Sequence, residues 1–137
     1  HDGRTEVWDA LRGTYLVLTP EEWVRQHFVN FLIEYRGYPP ALMANEVGIR
    51  HNGNLRRCDT VVYDASARPV AIVEYKAPTV NITESVFDQV ARYNMVLGVR
   101  WLMVSNGISH FCCEFSCVTG SYRFVKDIPV YTGLILS

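Results

Sequence analysis

Two acidic residues and one lysine are spaced so that they could hold a divalent cation against a phosphodiester. Glu74 and Lys76 follow an apolar run at residues 69–73, and side chains two apart lie on one face of a β-strand. Asp59 lies in a second segment, residues 58–62, that can form a hairpin with the first. Mg²⁺ commonly binds one or two carboxylates together with phosphate oxygens. These residues therefore indicate metal-dependent chemistry on a phosphate ester.

The turn composition of residues 64–69 predicts the register of this hairpin. Symmetric closure around the turn pairs Tyr63 with Val70, Val61 with Ile72, and Asp59 with Glu74. Two carboxylates that face each other with Cβ atoms roughly 5 Å apart repel unless a cation lies between them. A shift of one residue would send Asp59 to the opposite face. An edge ion pair of Asp59 with Lys76 or Arg57 is the alternative interpretation of the same residues.

Length and composition indicate one domain over residues 1–137. Apolar residues make up 49% of the 137 residues, enough for a core of its own. A net charge of −1 argues against a protein that coats nucleic acid nonspecifically, although a local basic cleft is compatible with it. Eleven of the thirteen basic residues are arginine, which suits bidentate contacts to phosphate.

We expect a cytoplasmic protein that does not enter a membrane. No apolar run reaches the roughly 20 residues that cross a bilayer. The first six residues lack the apolar segment of a signal peptide. Four cysteines in a chain of this size do not suggest a disulfide scaffold, so reduced thiols are expected.

The first half of the chain predicts a long helix followed by three strands. Residues 14–18 form a short strand or an extended lead-in. Thr19, Pro20 and Glu22 are typical of a helix start with a capping box, and Gly37 suits its end. Strands are expected at residues 45–51, 55–63 and 70–76, with a tight turn at Asn52 and Gly53 between the first two.

The second half predicts a second helix, a buried strand and a terminal hairpin. Residues 81–83 offer helix caps, and Val86, Val90 and Leu97 recur on one helical face. A buried strand follows at residues 101–104. Further strands are expected at residues 108–115 and, as an edge, at 122–124.

Polar side chains of the second helix and of the first hairpin could contact DNA. Gln89 and Tyr93 are four residues apart on one helical face, where both can donate to phosphate or base edges. A polar face with Tyr93 half-buried is the alternative. Arg50, Arg56 and Arg57 surround the Asn52 turn and could grip a DNA backbone, or could be solvated hairpin charges.

The cysteines near the C-terminus do not favour a zinc site. Cys112 and Cys113 are adjacent, so on a strand they point to opposite faces. Cys117 and His110 complete no ligand set with the usual spacing.

Asp59, Glu74-x-Lys76 and Gln89-x-x-x-Tyr93, in an αβββαβ order, resemble the PD-(D/E)XK nuclease superfamily. More narrowly, the pattern is similar to the N-terminal endonuclease domain of type I restriction enzyme R subunits. The resemblance spans roughly residues 19–106, and residues 18–26 and 87–94 look like small, stand-alone bacterial relatives of that domain. Cys58 replaces the proline of the motif, a position that varies widely in the superfamily. The resemblance implies an α/β, restriction-endonuclease-like fold with a mixed central sheet flanked by helices.

The resemblance also implies roles for individual residues. Asp59, Glu74 and the backbone carbonyl of Tyr75 would bind Mg²⁺, or alternatively Mn²⁺, and Lys76 would orient or activate the attacking water. A carboxylate from the first helix often joins them; Glu22 is the candidate, and Glu46 on the first strand is a lesser one. Arg25 and Gln26, beside Glu22, are expected to form a polar helix face.

The function indicated is a Mg²⁺-dependent DNA endonuclease, or the nuclease unit of a larger machine. Its partners would be DNA and either other restriction-system subunits or a second copy of the chain, because two cuts in a duplex need two active sites. The residues contain no ATP-dependent motor, so ATP-driven restriction is not predicted for them. A nuclease-derived DNA-binding or assembly module with little turnover is the rival interpretation. A small-molecule hydrolase has little support, since the chain has no glycine-rich phosphate loop or Ser/His/Asp pattern.

Overall fold

The fold is a mixed β-sheet with helices on both faces. A computed structural model describes residues 6–9, 11, 14–17, 19–116 and 118–136. The elements in chain order are β1 (Glu6–Asp9), β2 (Thr14–Val17), α1 (Pro20–Arg36), a short 3-10 turn (Pro40–Leu42), β3 (Met43–His51), β4 (Asn54–Tyr63), β5 (Pro69–Tyr75), α2 (Glu84–Met95), β6 (Trp101–Ser105), β7 (His110–Ser116), β8 (Ser121–Val125) and α3 (Tyr131–Leu136). Within the described residues, β3 to β8 form one six-stranded sheet in sequence order. Only the β5–β6 pair of that sheet is parallel, and α2 connects these two strands.

Helix α1 begins and ends where the sequence predicts. The Thr19 hydroxyl accepts a hydrogen bond from the Glu22 amide at 3.1 Å, and Pro20 occupies the first turn, where its missing N–H costs no bond. At the other end, Gly37 has φ of 72°, and its amide donates to the Leu32 carbonyl. These local contacts set the length of the helix that covers one face of the sheet.

Two apolar cores hold the layers together. One lies between the sheet and α1 and includes Phe28, Leu32 and Val73. The other lies between the sheet and α2 and includes Ile72, Phe87 and Leu102. Because Ile72 and Val73 alternate between the two cores, β5 is buried on both faces. The predicted αβββαβ order and the terminal hairpin are confirmed.

The buried face of α2 is shifted by one position along the sequence from the predicted face. Phe87, Ala91 and Asn94 are buried, whereas Val86 and Val90 are half-buried. The bulkier Phe87 occupies the core, and this turns both valines toward the helix flank.

The β4–β5 register agrees with the prediction at Val61 and Ile72, which are partners. It differs at the turn, where Tyr63 pairs with Pro69 rather than Val70, because a bulge follows Val62. The bulge absorbs the extra residue at the closed end of the hairpin. The open end therefore keeps the register that places Asp59 level with Glu74.

Two parts of the structure were not expected from the sequence. Strand β1 pairs with β2 in a separate hairpin, and α3 follows the sheet. The predicted strand at residues 14–18 is present at Thr14–Val17, and Leu18 lies outside the described residues. None of the described helices combines the length and the apolar character needed to span a membrane.

Candidate active site

Along β3 and β4, the face of the sheet toward which alternate side chains point changes beside Asp59. Met43 packs in the core beneath α1, yet Val47, which even spacing would place on the same face, packs in the core beneath α2. Between them Glu46 adopts φ of 55°, a left-handed conformation that is uncommon for a residue with a side chain. The strand pairs on either side of Glu46 place it level with Asp59. The change of face therefore occurs at the acidic end of the hairpin.

The structure brings the predicted acidic residues and lysine into one cleft. The cleft has a volume of about 350 Å³ and is open to solvent. It is lined by residues from β4, the end of β5 and one face of α2: Arg57, Asp59, Glu74, Tyr75, Lys76, Gln89, Val90, Tyr93 and Asn94. Asp59 is held in place by its Oδ2 atom, which accepts a hydrogen bond from the Tyr75 amide at 2.9 Å.

Glu74 is a buried carboxyl group that the rest of the protein does not fully satisfy. Its Oε1 atom is buried and has no hydrogen-bond partner among the described residues. Burial, the charge of Asp59 and a hydrogen bond between the two carboxyl groups raise the pKa of Glu74 to about 9, while the charge of Lys76 acts in the opposite direction. The carboxyl group is thus neutral near pH 7 unless a positive charge comes close to it.

The donor set suits a hard divalent cation. Asp59 and Glu74 offer carboxylate oxygens, and the Tyr75 carbonyl belongs to the peptide that joins β5 to Lys76. In the described ranges, no three or more His, Cys, Asp and Glu side chains come together as a complete ligand set. A cation here would complete its shell with water and substrate oxygens, which is the usual mode for Mg²⁺. The partnerless Glu74 oxygen fits this use.

A zinc site at the cysteines is absent from the described part of the chain. Cys112 belongs to the core beneath α1 and Cys113 to the core beneath α2, as the alternation of a strand requires. Cys117 lies outside the described residues. The prediction against zinc rests on this alternation.

The cationic and aromatic residues of the cleft come from three elements. Lys76 follows β5 directly, and its amide donates to the Ser105 carbonyl at 2.9 Å. Gln89 and Tyr93 line the α2 side, as predicted. The guanidinium of Arg56 lies 4.7 Å from the centre of the Tyr93 ring, which is about half exposed. Stacking holds both side chains at the cleft entrance.

The two other hairpin arginines differ in position. Arg57 lines the cleft, and its guanidinium lies 3.5 Å from the Glu46 carboxylate. Arg50 is exposed on β3 and is not part of the cleft lining. The structure therefore brings Arg57 into the cleft lining and Arg56 beside it through Tyr93, whereas Arg50 has neither position.

Glu22 does not join the cleft, contrary to the expectation for a ligand from the first helix. Its carboxylate forms an ion pair with Arg25 and accepts a hydrogen bond from Gln26 at 2.9 Å. All three side chains are buried, so the polar helix face expected for Arg25 and Gln26 is present but faces the protein interior. The same contacts leave the predicted capping box half formed. Glu46 lies level with Asp59, but its carboxylate faces Arg25 at 3.7 Å and Arg57.

Asn94 is a cleft residue that the sequence reasoning missed. Its amide donates to the Val90 carbonyl at 2.9 Å, and its Oδ1 atom is buried without a hydrogen-bond partner among the described residues. A signal was present, because Asn94 follows Phe87 and Ala91 at helical spacing on an otherwise apolar face.

The sheet order, the flanking helices and the acidic hairpin define a restriction-endonuclease-like domain. Residues 20–129 match the family model described as "Type I restriction enzyme R protein N terminus (HSDR_N)". The match covers most of the chain, and the protein belongs to this family.

Among solved structures, the chain is similar to the fragment structure of a putative HsdR subunit of a type I restriction enzyme from Vibrio vulnificus YJ016. The TM-score is 0.59 at 19% sequence identity, which shows a shared fold. The similarity covers 87% of this chain but 25% of the other, so the chain spans about a quarter of that protein's length. No curated protein sequence matches the chain.

Proposed function

We propose that this domain is a metal-dependent DNA endonuclease of a restriction system. Asp59, Glu74 and the Tyr75 carbonyl would hold Mg²⁺ or Mn²⁺, and Lys76 would act on the attacking water. The observation that carries the proposal is the buried, partnerless oxygen of Glu74 beside a second carboxylate. Perturbed carboxyl groups in a cleft are typical of functional sites.

The arrangement is unfavourable for the folded protein by itself. A buried carboxylate without full hydrogen bonding loses solvation that the protein does not replace. The charge of Asp59 adds repulsion when both groups are ionised. A bound divalent cation would relieve both terms, which accounts for a pair that an ordinary sheet would avoid.

Each cleft residue has a place in phosphodiester hydrolysis. A bound divalent cation supplies charge neutralisation at the phosphate and favours the hydroxide form of water. Lys76, which lines the same cleft as Glu74, can orient the attacking water and offset the charge that develops on the phosphate oxygens. Asp59 is kept in position by the Tyr75 amide, which donates to its Oδ2 atom.

The entrance of the cleft suits a DNA strand. Arg57 and Arg56 offer guanidinium groups to phosphates, and Gln89 offers an amide. The exposed ring of Tyr93 can stack on a base or a sugar. Arg57, Gln89 and Tyr93 line the same cleft as Glu74, and Arg56 contacts Tyr93, so DNA bound to them would present a phosphate to the acidic pair.

The domain would act as part of a larger assembly. The related fragment belongs to a putative HsdR subunit and is about four times as long as the matching region. We infer that other restriction-system subunits, or a second copy of this domain, bring a second active site to the duplex.

A plasmid-nicking assay with Mg²⁺ or Mn²⁺ tests the proposal. Lys76→Ala should lose cleavage by about 10²–10³-fold, as expected for loss of a group that stabilises transition-state charge. Lys126→Ala is the matched control, because the chain has two lysines and Lys126 is exposed outside the cleft. Its cleavage should equal that of the wild type.

Two results would contradict the proposal. One is equal cleavage by the two lysine variants. The other is wild-type protein that binds DNA without metal dependence and cuts no DNA form, which would support the binding module instead. Calorimetric titration with Mg²⁺ distinguishes the enzyme from the binding module, since only the enzyme requires a cation that both carboxylates bind.

A further inference from the structure

A chain of buried and partly buried hydrogen bonds links the N-terminal hairpin to Tyr75, which lines the cleft. The Tyr75 hydroxyl donates to Thr60 Oγ1 at 2.9 Å, and Thr60 donates to Asn45 Oδ1 at 2.7 Å. The Asn45 amide then donates to Asp9 Oδ2 at 3.2 Å. Tyr75, Thr60 and Asp9 are all nearly inaccessible to solvent. This chain of hydrogen bonds crosses from β5 through β4 and β3 to β1.

The direction of this chain is determined by its end. A carboxylate accepts hydrogen bonds, so the NH₂ group of Asn45 must face Asp9 and its oxygen must face Thr60. The Thr60 hydroxyl therefore donates to Asn45 and accepts from Tyr75. Hydrogen bonds aligned in this way polarise one another and resist rearrangement. The second oxygen of Asp9 accepts from the Leu11 amide at 2.9 Å, which ties the carboxylate to its own turn.

Tyr75 is held at both its side chain and its backbone. Its ring lies on the α1 side of the sheet, 6.2 Å from the Phe28 ring in an edge-on contact. Its amide donates to Asp59, and its strand position pairs with Ser105 on β6. The carbonyl between these anchors has little freedom to move.

We propose that the Asp9–Asn45–Thr60–Tyr75 chain is a positioning device that fixes the Tyr75 peptide for cation binding, so that the N-terminal hairpin is a working part of the nuclease site. This inference rests on the proposed function. The residues matched by the family model begin at residue 20, so β1 and β2 lie outside them. The four side chains are positioning residues, since they would act on the cation through the Tyr75 backbone.

The first test removes one oxygen atom at the cleft end of the chain. Tyr75→Phe deletes the donor to Thr60 and keeps the ring. Tyr38→Phe is a matched control, because Tyr38 is equally buried on the α1 side and its hydroxyl donates to the Pro129 carbonyl at 2.8 Å, outside the cleft.

Amide hydrogen exchange of the metal-free proteins, measured by NMR, reports the positioning directly. Exchange at Tyr75 and Lys76 should be about tenfold faster in Tyr75→Phe, the effect of losing one hydrogen bond, and unchanged in Tyr38→Phe. Mg²⁺ affinity measured by calorimetry should fall by about tenfold in Tyr75→Phe alone, as for other outer-shell partners of metal ligands. In cleavage assays the loss should appear in kcat, with KM for DNA unchanged.

The second test acts at the hairpin end. Asp9→Ala removes the acceptor and should accelerate the same two amides, whereas Asp9→Asn keeps an oxygen acceptor and should restore slow exchange. The inference is overturned if Tyr75→Phe and Asp9→Ala both behave like Tyr38→Phe in exchange and in Mg²⁺ affinity. If wild-type protein binds no Mg²⁺ and cuts no DNA, the proposed function fails, while the exchange comparison still decides whether the chain positions Tyr75.

Discussion

Glu22 and Glu74 are both largely withdrawn from solvent, and their surroundings differ in one decisive respect. Glu22 lies on the buried face of α1, where Arg25 and Gln26 satisfy both of its carboxylate oxygens. Glu74 lies on the α2 face beside Asp59, with one oxygen that has no partner among the described residues. A carboxylate whose bonds are complete stabilises the fold, whereas an incomplete one retains the capacity to bind a cation. If the proposed function is correct, the first helix contributes structure to the site and the hairpin contributes its chemistry.

The largest expected difference concerns cleavage. Asp59→Asn and Glu74→Gln should each lower metal-dependent nicking by about 10³-fold, because each removes a charge that would bind the cation. DNA affinity in gel-shift assays should stay the same or rise, since these carboxylates repel phosphate when no metal is bound.

Glu22→Gln provides the control for this cleavage experiment. It should keep wild-type cleavage per folded molecule, with folding checked by thermal melts. Equal loss of cleavage in Glu22→Gln and Glu74→Gln would mean that the two sides of the sheet are not separated in function.

The next difference concerns stability. Glu22→Ala should lower the free energy of unfolding by about 3 kcal/mol, because it leaves Arg25 as a buried charge without its main partner. Denaturant unfolding measures the change. Glu21→Ala, on the exposed side of the same turn, should change it by less than about 0.5 kcal/mol. A small effect of Glu22→Ala would show that Glu46, 3.7 Å from Arg25, is a sufficient substitute.

The last expected difference is a pH-dependent gain in stability of Glu74→Gln relative to the wild type. The pKa of Glu74 is about 9 in the folded protein and near 4.5 in the unfolded chain. The folded state therefore holds a proton that the unfolded state releases, and stability falls as pH rises from about 4.5 to 9. Glu74→Gln cannot ionise, so its Tm without metal should exceed that of the wild type at pH 8. Near pH 4 the two proteins should melt together.

Mg²⁺ should reverse this order at pH 8. Binding to the folded wild type raises its Tm, and Glu74→Gln should respond little because it lacks a ligand. Scanning calorimetry with and without the cation provides the measurement. A wild type that gains stability relative to Glu74→Gln as pH rises would show that Glu74 is ionised and satisfied without metal.

Local sequence signals predicted the framework of the site well. Thr19, Pro20 and Gly37 delimit α1 through contacts within a few residues. The turn between β4 and β5 predicted the register at the open end of the hairpin, where Asp59 and Glu74 lie. The bulge after Val62 is at the closed end and does not change that register. Asp59 and Glu74 could therefore be assigned to one cleft from spacing alone.

Signals that depend on distant neighbours were harder to interpret. Glu22 has the spacing of a capping box and of a possible ligand, yet Arg25 and Gln26 turn toward it because the sheet buries all three. The Asp9 contact with Asn45 joins residues 36 positions apart, and no local pattern indicates it. Phe87 is buried in the core, whereas Val86 and Val90 are only half-buried, and helical spacing alone does not predict which of them is buried.

The sequence by itself determined the ends of α1, the order of strands β3 to β8, the acidic hairpin and the Gln89 and Tyr93 face. Each depends on backbone preferences and on a side-chain period of two or 3.6 residues, which neighbouring residues specify. The tertiary structure decided which carboxylates are satisfied. It paired Glu22 with Arg25, left a Glu74 oxygen without a partner among the described residues, and connected Tyr75 to Asp9. The physical reason is that burial and hydrogen-bond completion depend on residues far apart in the chain, which only packing brings together.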